Sequence, residues 1–143
     1  MQLKDIMTRD VEVIHPDATL TEAAAKMDSL NVGALPVCDG DQVLGVITDR
    51  DITVRATAVG GNPQTARVRD AMTTDAIYGF EDQDVKEAAK LMDENQIRRL
   101  VVLNRAKQLV GIVSLGDLAA DSGDERLAGD TLKQVSEPAE PDR

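Results

Sequence analysis

The stretches GVITDRD (Gly45–Asp51) and GIVSLGD (Gly111–Asp117) write one phrase twice: glycine, two branched apolar residues, a hydroxyl residue, two variable positions and an aspartate. Working outward from it, a shift of 65 positions lays much of the chain over itself. Asp5, Met7 and Thr8 fall on Asp70, Met72 and Thr73; Asp17, Glu22 and Ala23 fall on Asp82, Glu87 and Ala88. Met27, Leu35 and Val37 fall on Met92, Leu100 and Val102. One added residue near Gln108 moves the offset to 66, which brings Gly45, Thr48 and Asp51 onto Gly111, Ser114 and Asp117. Self-similarity at a fixed period marks a repeated structural unit. The copies occupy residues 1–62 and 63–122 and meet at VGGNPQTA (Val59–Ala66), where Gly60, Gly61, Asn62 and Pro63 interrupt any regular element.

Each copy reads as strand, helix, two strands, helix. In TLTEAAAKMDSL, Leu20, Ala23, Ala24, Met27 and Leu30 recur at helical spacing and are expected on one face. Thr19 and Glu22 form a capping box at its start, and Asp84 with Glu87 stand at the same places in the second copy. ALPVC and QVLGVIT follow as strands across a turn at Asp39, Gly40 and Asp41; RLVVL and QLVGIVS are their counterparts across Asn104 to Lys107. A second helix begins in DRDITVRATA and in LGDLAAD. The class is therefore α/β (α+β), two β-α-β-β-α repeats. A lone unit of about 60 residues is marginal, so the two sheets are expected to pack together and share a core. The acidic tail, residues 123–143, predicts a short helix in ERLAGDTLKQVS, edged by Leu127, Leu132 and Val135, and disorder around Pro138 and Pro141.

Composition narrows the function. A net charge of −10 repels nucleic acid and anionic membranes, so neither is expected as a partner, while a small anion needs locally placed basic residues. Tyr78 and Phe80 are the aromatic residues, with no Trp, so the core is aliphatic. A single cysteine, Cys38, allows no internal disulfide and suits a reducing compartment. No apolar run is long enough for a membrane span and MQLKDIMTRD lacks a signal-peptide core, so a cytoplasmic location is expected. His15 and Cys38 are far apart in the repeat, and zinc takes about four ligands. Cys38 reads as a small buried thiol and His15 as an exposed loop residue before Pro16. No catalytic group emerges, and the chain is not expected to be an enzyme.

With the repeat, the element order and both G-h-h-[ST]-x-x-D phrases in hand, the sequence resembles the tandem CBS-domain family (the Bateman module). The resemblance runs from Leu3 to about Ala120 and is similar to stand-alone bacterial pairs of the hypoxic-response type. One departure is Val101, where the first copy has Pro36 and the family usually has proline. The resemblance implies pseudo-twofold-related repeats, a homodimer, and a non-catalytic sensor of an adenosine-containing ligand: AMP, ADP, ATP, S-adenosylmethionine or NAD. No cofactor is required beyond that regulatory ligand. It also implies two clefts with parts from both repeats. In one, Thr48 and Asp51 meet the segment from Thr73 to Ile77 together with Ile97 and Arg98. In the other, Ser114 and Asp117 meet Thr8 to Val13 with Val32 and Gly33, and Arg99 lies nearby.

These residue types suit that ligand. An aspartate accepts hydrogen bonds from both ribose hydroxyls, each charge-assisted bond contributing about 1.5–3 kcal/mol. Arg50, Arg98 and Arg99 supply local positive charge for phosphate, and Val13 and Ile77 offer apolar flanks for adenine. Arg50 is matched by Gly116, so the two sites are unequal. Two readings stand open at each phrase, since [ST]-x-x-D before a helix is also a plain capping box. At the level of the molecule, the rival to the sensor is a scaffold that binds a protein partner and no nucleotide.

Overall fold

The computed structural model describes residues 1–121; the expectations for the acidic tail lie outside the described residues. The chain divides into two compact units, Glu12–Ala76 and Met1–Val11 with Ile77 onward. The lead-in to each repeat is thus built into the unit of the other repeat.

In the first unit α1 (Leu20–Leu30) begins at Thr19, whose hydroxyl accepts from Glu22 N while the Glu22 carboxylate accepts from Thr19 N. It ends at Asn31 in the left-handed conformation, φ 54°. Strands β1 (Ala34–Asp39) and β2 (Gln42–Thr48) pair antiparallel, with a bulge between Val37 and Cys38. The leading strand of this copy shrinks to one parallel bridge, Ile14 to Val37, because a turn closes at once, Ala18 N donating to His15 O across Pro16. Beyond β2 come α2 (Asp49–Asp51), a π turn (Ile52–Ala56) and a 3-10 turn (Thr57–Val59). The glycine-rich join is irregular as expected, but a short helix, α3 (Val68–Ala71), follows it, capped by Asp70 accepting from Arg67 N at 3.0 Å. Leu20, Ala23, Met27, Leu35, Val37, Ile47 and Val68 form the core. Burial of each large aliphatic side chain contributes roughly 1.5–3 kcal/mol. Ala24 and Leu30 are not on that face: Ala24 is exposed and Leu30 is 40% exposed.

The second unit repeats the plan with a fuller sheet. Strand β3 (Tyr78–Phe80) runs parallel to β4 (Arg99–Leu103), which pairs antiparallel with β5 (Leu109–Ser114). The bulge recurs between Val102 and Leu103, one repeat on from Val37 and Cys38. Helix α4 (Val85–Asn95) is capped differently from α1: Asp84 accepts from Lys86 N at 2.8 Å, and no box with Glu87 closes. Helix α5 (Leu115–Asp121) follows β5 directly. Ala88, Met92, Leu100, Val102 and Val113 occupy the places of Ala23, Met27, Leu35, Val37 and Ile47, and Leu3, from the 3-10 turn Leu3–Asp5, completes the core. Leu3 and Val68 are equivalent in sequence and each is fully buried in the unit of the other repeat.

Asp17 ties the lead-in of the second copy to the first unit, while its match Asp82 holds the β4–β5 turn. Asp17 accepts from Arg69 Nε at 2.8 Å and from Arg69 Nη2, and its carbonyl accepts from Arg67. Asp82 accepts from Arg105, whose guanidinium lies 4.5 Å from the Phe80 ring centroid. The Arg69 hydrogen bond holds the Asp17 carboxyl below the usual carboxylate range, and Arg105 does the same for Asp82. Cys38 is buried, which pushes its thiol pKa up, and His15 is exposed beside Asp17 and Asp39. Among the described residues no helix is long and apolar enough to cross a membrane.

Candidate functional site

Every position of the repeated phrase has a structural reason. Its glycine lets a backbone cross β2 or β5. A Cβ on Gly45 would stand 2.3 Å from Thr73 O, and one on Gly111 would stand 2.6 Å from Met7 Sδ and 2.9 Å from Thr8 O. Thr73 thereby pairs with Val46, N to O at 2.8 and 3.0 Å, and Thr8 pairs with Ile112 at 2.9 and 3.0 Å. The branched apolar residues alternate, Ile47 and Val113 into the core, which leaves the next residue facing outward at the strand end.

The hydroxyl and the aspartate then close a box. Thr48 Oγ1 accepts from Asp51 N at 3.0 Å while Asp51 Oδ2 accepts from Thr48 N at 3.0 Å. Ser114 and Asp117 do the same at 3.1 and 2.8 Å. Capping is therefore real in both copies. It uses one carboxylate oxygen of each aspartate and leaves Oδ1 outside the box. In the first unit Thr73 Oγ1 lies 3.4 Å from both Asp51 oxygens, and Arg55 Nε lies 3.6 Å from Oδ1. Asp51 is 8% exposed, the one buried charged residue among those described. In the second unit Asp117 and Ser114 are half-buried, and Asp117 Oδ1 has no partner among the described residues.

The other expected site residues fall into two matched sets. In the first unit Val32 and Gly33 form the turn into β1, and Gly33 O accepts from Asp49 N at 2.9 Å, joining that turn to the phrase. In the second unit Ile97 and Arg98 hold the same place, Arg98 O accepting from Leu115 N at 3.1 Å, and Arg99 sits opposite Ser114 in the β4–β5 register. Val13 is half-buried, and its carbonyl already accepts from Lys26 Nζ at 2.6 Å. Ile77 is 37% exposed at the start of the second unit, and Arg98 and Arg99 are exposed. Arg50 is exposed, and its backbone N donates to Asp49 Oδ1 at 2.8 Å. The cation at Asp51 is Arg55, which the sequence reading passed over; its spacing of one helical turn from Asp51 was the available signal.

An open groove of about 480 Å³ in the first unit is lined by Ala24, Met27, Asp28, Val32, Gly33, Asp49 and Ile52 among others. It has two carboxylates, no basic side chain, and neither Thr48, Asp51 nor Thr73, so phosphate is not suited to it. Among the described residues no group of three or more His, Cys, Asp or Glu side chains is placed to hold a metal ion.

Comparison with known proteins joins these features to a family. The CBS-domain family model matches residues 3–56 and 68–122. The CBS domain-containing protein YhcV of Bacillus subtilis is 41% identical over 134 residues, 94% of each chain. Hypoxic response protein 1 of Mycobacterium tuberculosis is 37% identical over 117 residues, 81% of each chain. A crystal structure of Hypoxic Response Protein I, with two coordinated zinc ions, superposes with TM-score 0.78 at 35% identity, covering 85% of this chain and 98% of that one. The fold is shared as well by CBSX2 in complex with AMP, TM-score 0.76 at 24% identity over 87% of this chain and 98% of that one. Two phrases, two matched units and two family matches lead to one conclusion: this chain belongs to the CBS-domain family and carries the domain twice in tandem.

Proposed function

We propose that the protein is a non-catalytic regulatory module whose two phrases each bind the ribose of an adenosine-containing compound. The observation that carries this reading is the pair of closed boxes: each satisfies its own turn with Oδ2 and leaves Oδ1 outside the box, in Asp51 with only the long contacts to Thr73 Oγ1 and Arg55 Nε at 3.4 and 3.6 Å. A ribose diol is such a donor. One charge-assisted bond from it contributes about 1.5–3 kcal/mol. Thr73 in the first unit adds a hydroxyl to the same carboxylate. AMP is the first candidate, as CBSX2 of the same fold holds it. We propose a second copy as partner, since Leu30 and Val54 are apolar yet 40% and 45% exposed and Ala24 lies open on α1.

The test is a thermal-shift screen of adenine nucleotides, S-adenosylmethionine and NAD, with light scattering on the same samples. A ligand at about 100 times its dissociation constant raises stability by about 2.7 kcal/mol. The expected mass is twice the 15.4 kDa of the chain. If no adenosyl compound at millimolar concentration moves the melting temperature, the module is a scaffold for a protein partner instead. A monomeric mass removes the second copy.

A further inference from the structure

The open groove of the first unit lies beside the phrase and outside its box. It is walled by residues of α1, of the turn into β1, of α2 and of the π turn that follows. Its apolar part is Met27, which is buried, with Val32 and Ile52, which are half-buried. Its polar part is exposed and of one sign: Asp28 and Asp49 carry the charge, and Asn31 and Thr53 add uncharged acceptors. Asp49 Oδ1 accepts from Arg50 N at 2.8 Å, while Asp49 Oδ2 and both oxygens of Asp28 have no hydrogen-bond partner among the described residues. Glycine at position 33 belongs to the same arrangement. A Cβ there would stand 3.1 Å from Asp49 Oδ2, so a side chain would press on the carboxylate that lines the groove. The second copy does not keep this chemistry: Arg98 stands at the place of Gly33 and Leu115 at that of Asp49.

We propose that this groove binds an aliphatic diamine or polyamine, its ammonium ends on Asp28 and Asp49 and its methylenes on Met27, Val32 and Ile52. Charge complementarity carries the assignment. No basic side chain lines the groove, so its two carboxylates are uncompensated there, and the net charge of −10 draws cations toward the chain. Each ammonium group brings three N–H donors, which a carboxylate and a neighbouring amide or hydroxyl oxygen accept. The apolar floor favours an alkyl spacer over a bare metal ion, because methylenes gain by leaving water and a hydrated ion does not. The volume of about 480 Å³ falls within the range of roughly 300–1,000 Å³ usual for small-molecule sites. Like charge turns a nucleotide away, so this site is separate from the adenosyl reading and stands without it.

Titration calorimetry of the full chain at low salt, with 1,4-diaminobutane and with butylamine, tests the site. The diamine is expected to bind once per chain, and butylamine, with one ammonium group, about three- to tenfold more weakly. Asp28→Asn and Asp49→Asn each weaken the diamine by about three- to tenfold and bring it near butylamine, with the amine-free melting temperature close to that of the unaltered chain. Asp41→Asn, which removes an exposed carboxylate on the β1–β2 turn, leaves the affinity unchanged. An equal loss in Asp41→Asn, or binding of several equivalents, means diffuse attraction to an acidic surface and overturns the site. Equal affinities for diamine and monoamine overturn the pairing of both carboxylates with one ligand. If neither amine binds at millimolar concentration the proposal falls, and a drop in the mass of Asp28→Lys from twice 15.4 kDa to that of a single chain then makes the groove the seat of a second copy.

Discussion

A methyl group at position 45 would stand 2.3 Å from a backbone oxygen, and that one distance explains why the phrase begins with glycine. The obstacle at Gly45 is Thr73 O, which cannot rotate away without breaking the Val46–Thr73 pair. At Gly111 the nearest obstacle is the flexible end of Met7, with Thr8 O behind it at 2.9 Å. Gly45→Ala is therefore expected to destabilise the protein by about 3 kcal/mol or more, and Gly111→Ala by about 1–2 kcal/mol. Urea midpoints of both variants check this, and an equal or reversed order would mean that the crossing segments are not what the glycines serve. At this scale the sequence was legible where chemistry is local. The Thr48–Asp51 and Ser114–Asp117 boxes follow from spacing alone. That Thr73 Oγ1 comes within 3.4 Å of Asp51 was suggested by family resemblance and not by spacing, because those positions are joined only through the fold. Arg55 stands outside the phrase, one helical turn beyond its aspartate, so the motif itself carries no sign of it.

Between elements, the matched aspartates Asp17 and Asp82 each hold a segment by a guanidinium, and this makes part of the stability sensitive to acid. Arg69, first through its hydrogen bonds and then through its charge, keeps the Asp17 carboxyl below its unfolded range; Arg105 does so for Asp82. A carboxyl with a depressed folded pKa contributes its stability above the unfolded value, about 3.9, and loses it as pH falls through the folded value. Both groups are exposed, so the contribution is screened and falls with salt. Asp17→Asn is expected to narrow the gap in urea midpoint between about pH 6 and about pH 2, and to narrow it less at high salt. A gap as wide as that of the unaltered chain would take Asp17 out of the acid response. The elements themselves were mostly readable: α1 and α4 follow from helical spacing, and β1, β2, β4 and β5 from apolar runs bounded by turn signals, with β1 and β4 burying consecutive residues. The four-residue helix α3 and the turn Leu3–Asp5 were not, because elements this short carry no period, and their buried Val68 and Leu3 read as isolated apolar residues. Ala24 and Leu30 share a helical period with the core yet lie open, so period alone did not set the width of the buried stripe.

For the whole molecule, the repeat in the sequence and the units in space are different divisions. Periodicity revealed the first plainly. It carried no sign of the exchange of lead-ins, since equivalent segments look alike wherever they pack. That exchange makes one unit continuous, Glu12–Ala76, and the other a union of the chain's opening residues with everything from Ile77. Met1 O accepts from Val85 N, Leu3 N donates to Gln83 O, and Thr8 pairs with Ile112. On the ribosome, where the chain emerges from its first residue onward, the continuous unit can close while translation is still under way. Residues Met1–Val11 are made before that unit and secured after it, for their partner in β5 follows more than a hundred positions later. Nascent chains arrested at increasing lengths should gain protease resistance in Glu12–Ala76 while Met1–Val11 stays cleavable until β5 has left the exit tunnel. Protection of both stretches at one length would mean that they fold together. Order of synthesis and order of folding thus run against each other for Met1–Val11, leaving Leu3, Ile6 and Met7 as uncovered apolar side chains until β5 has been made.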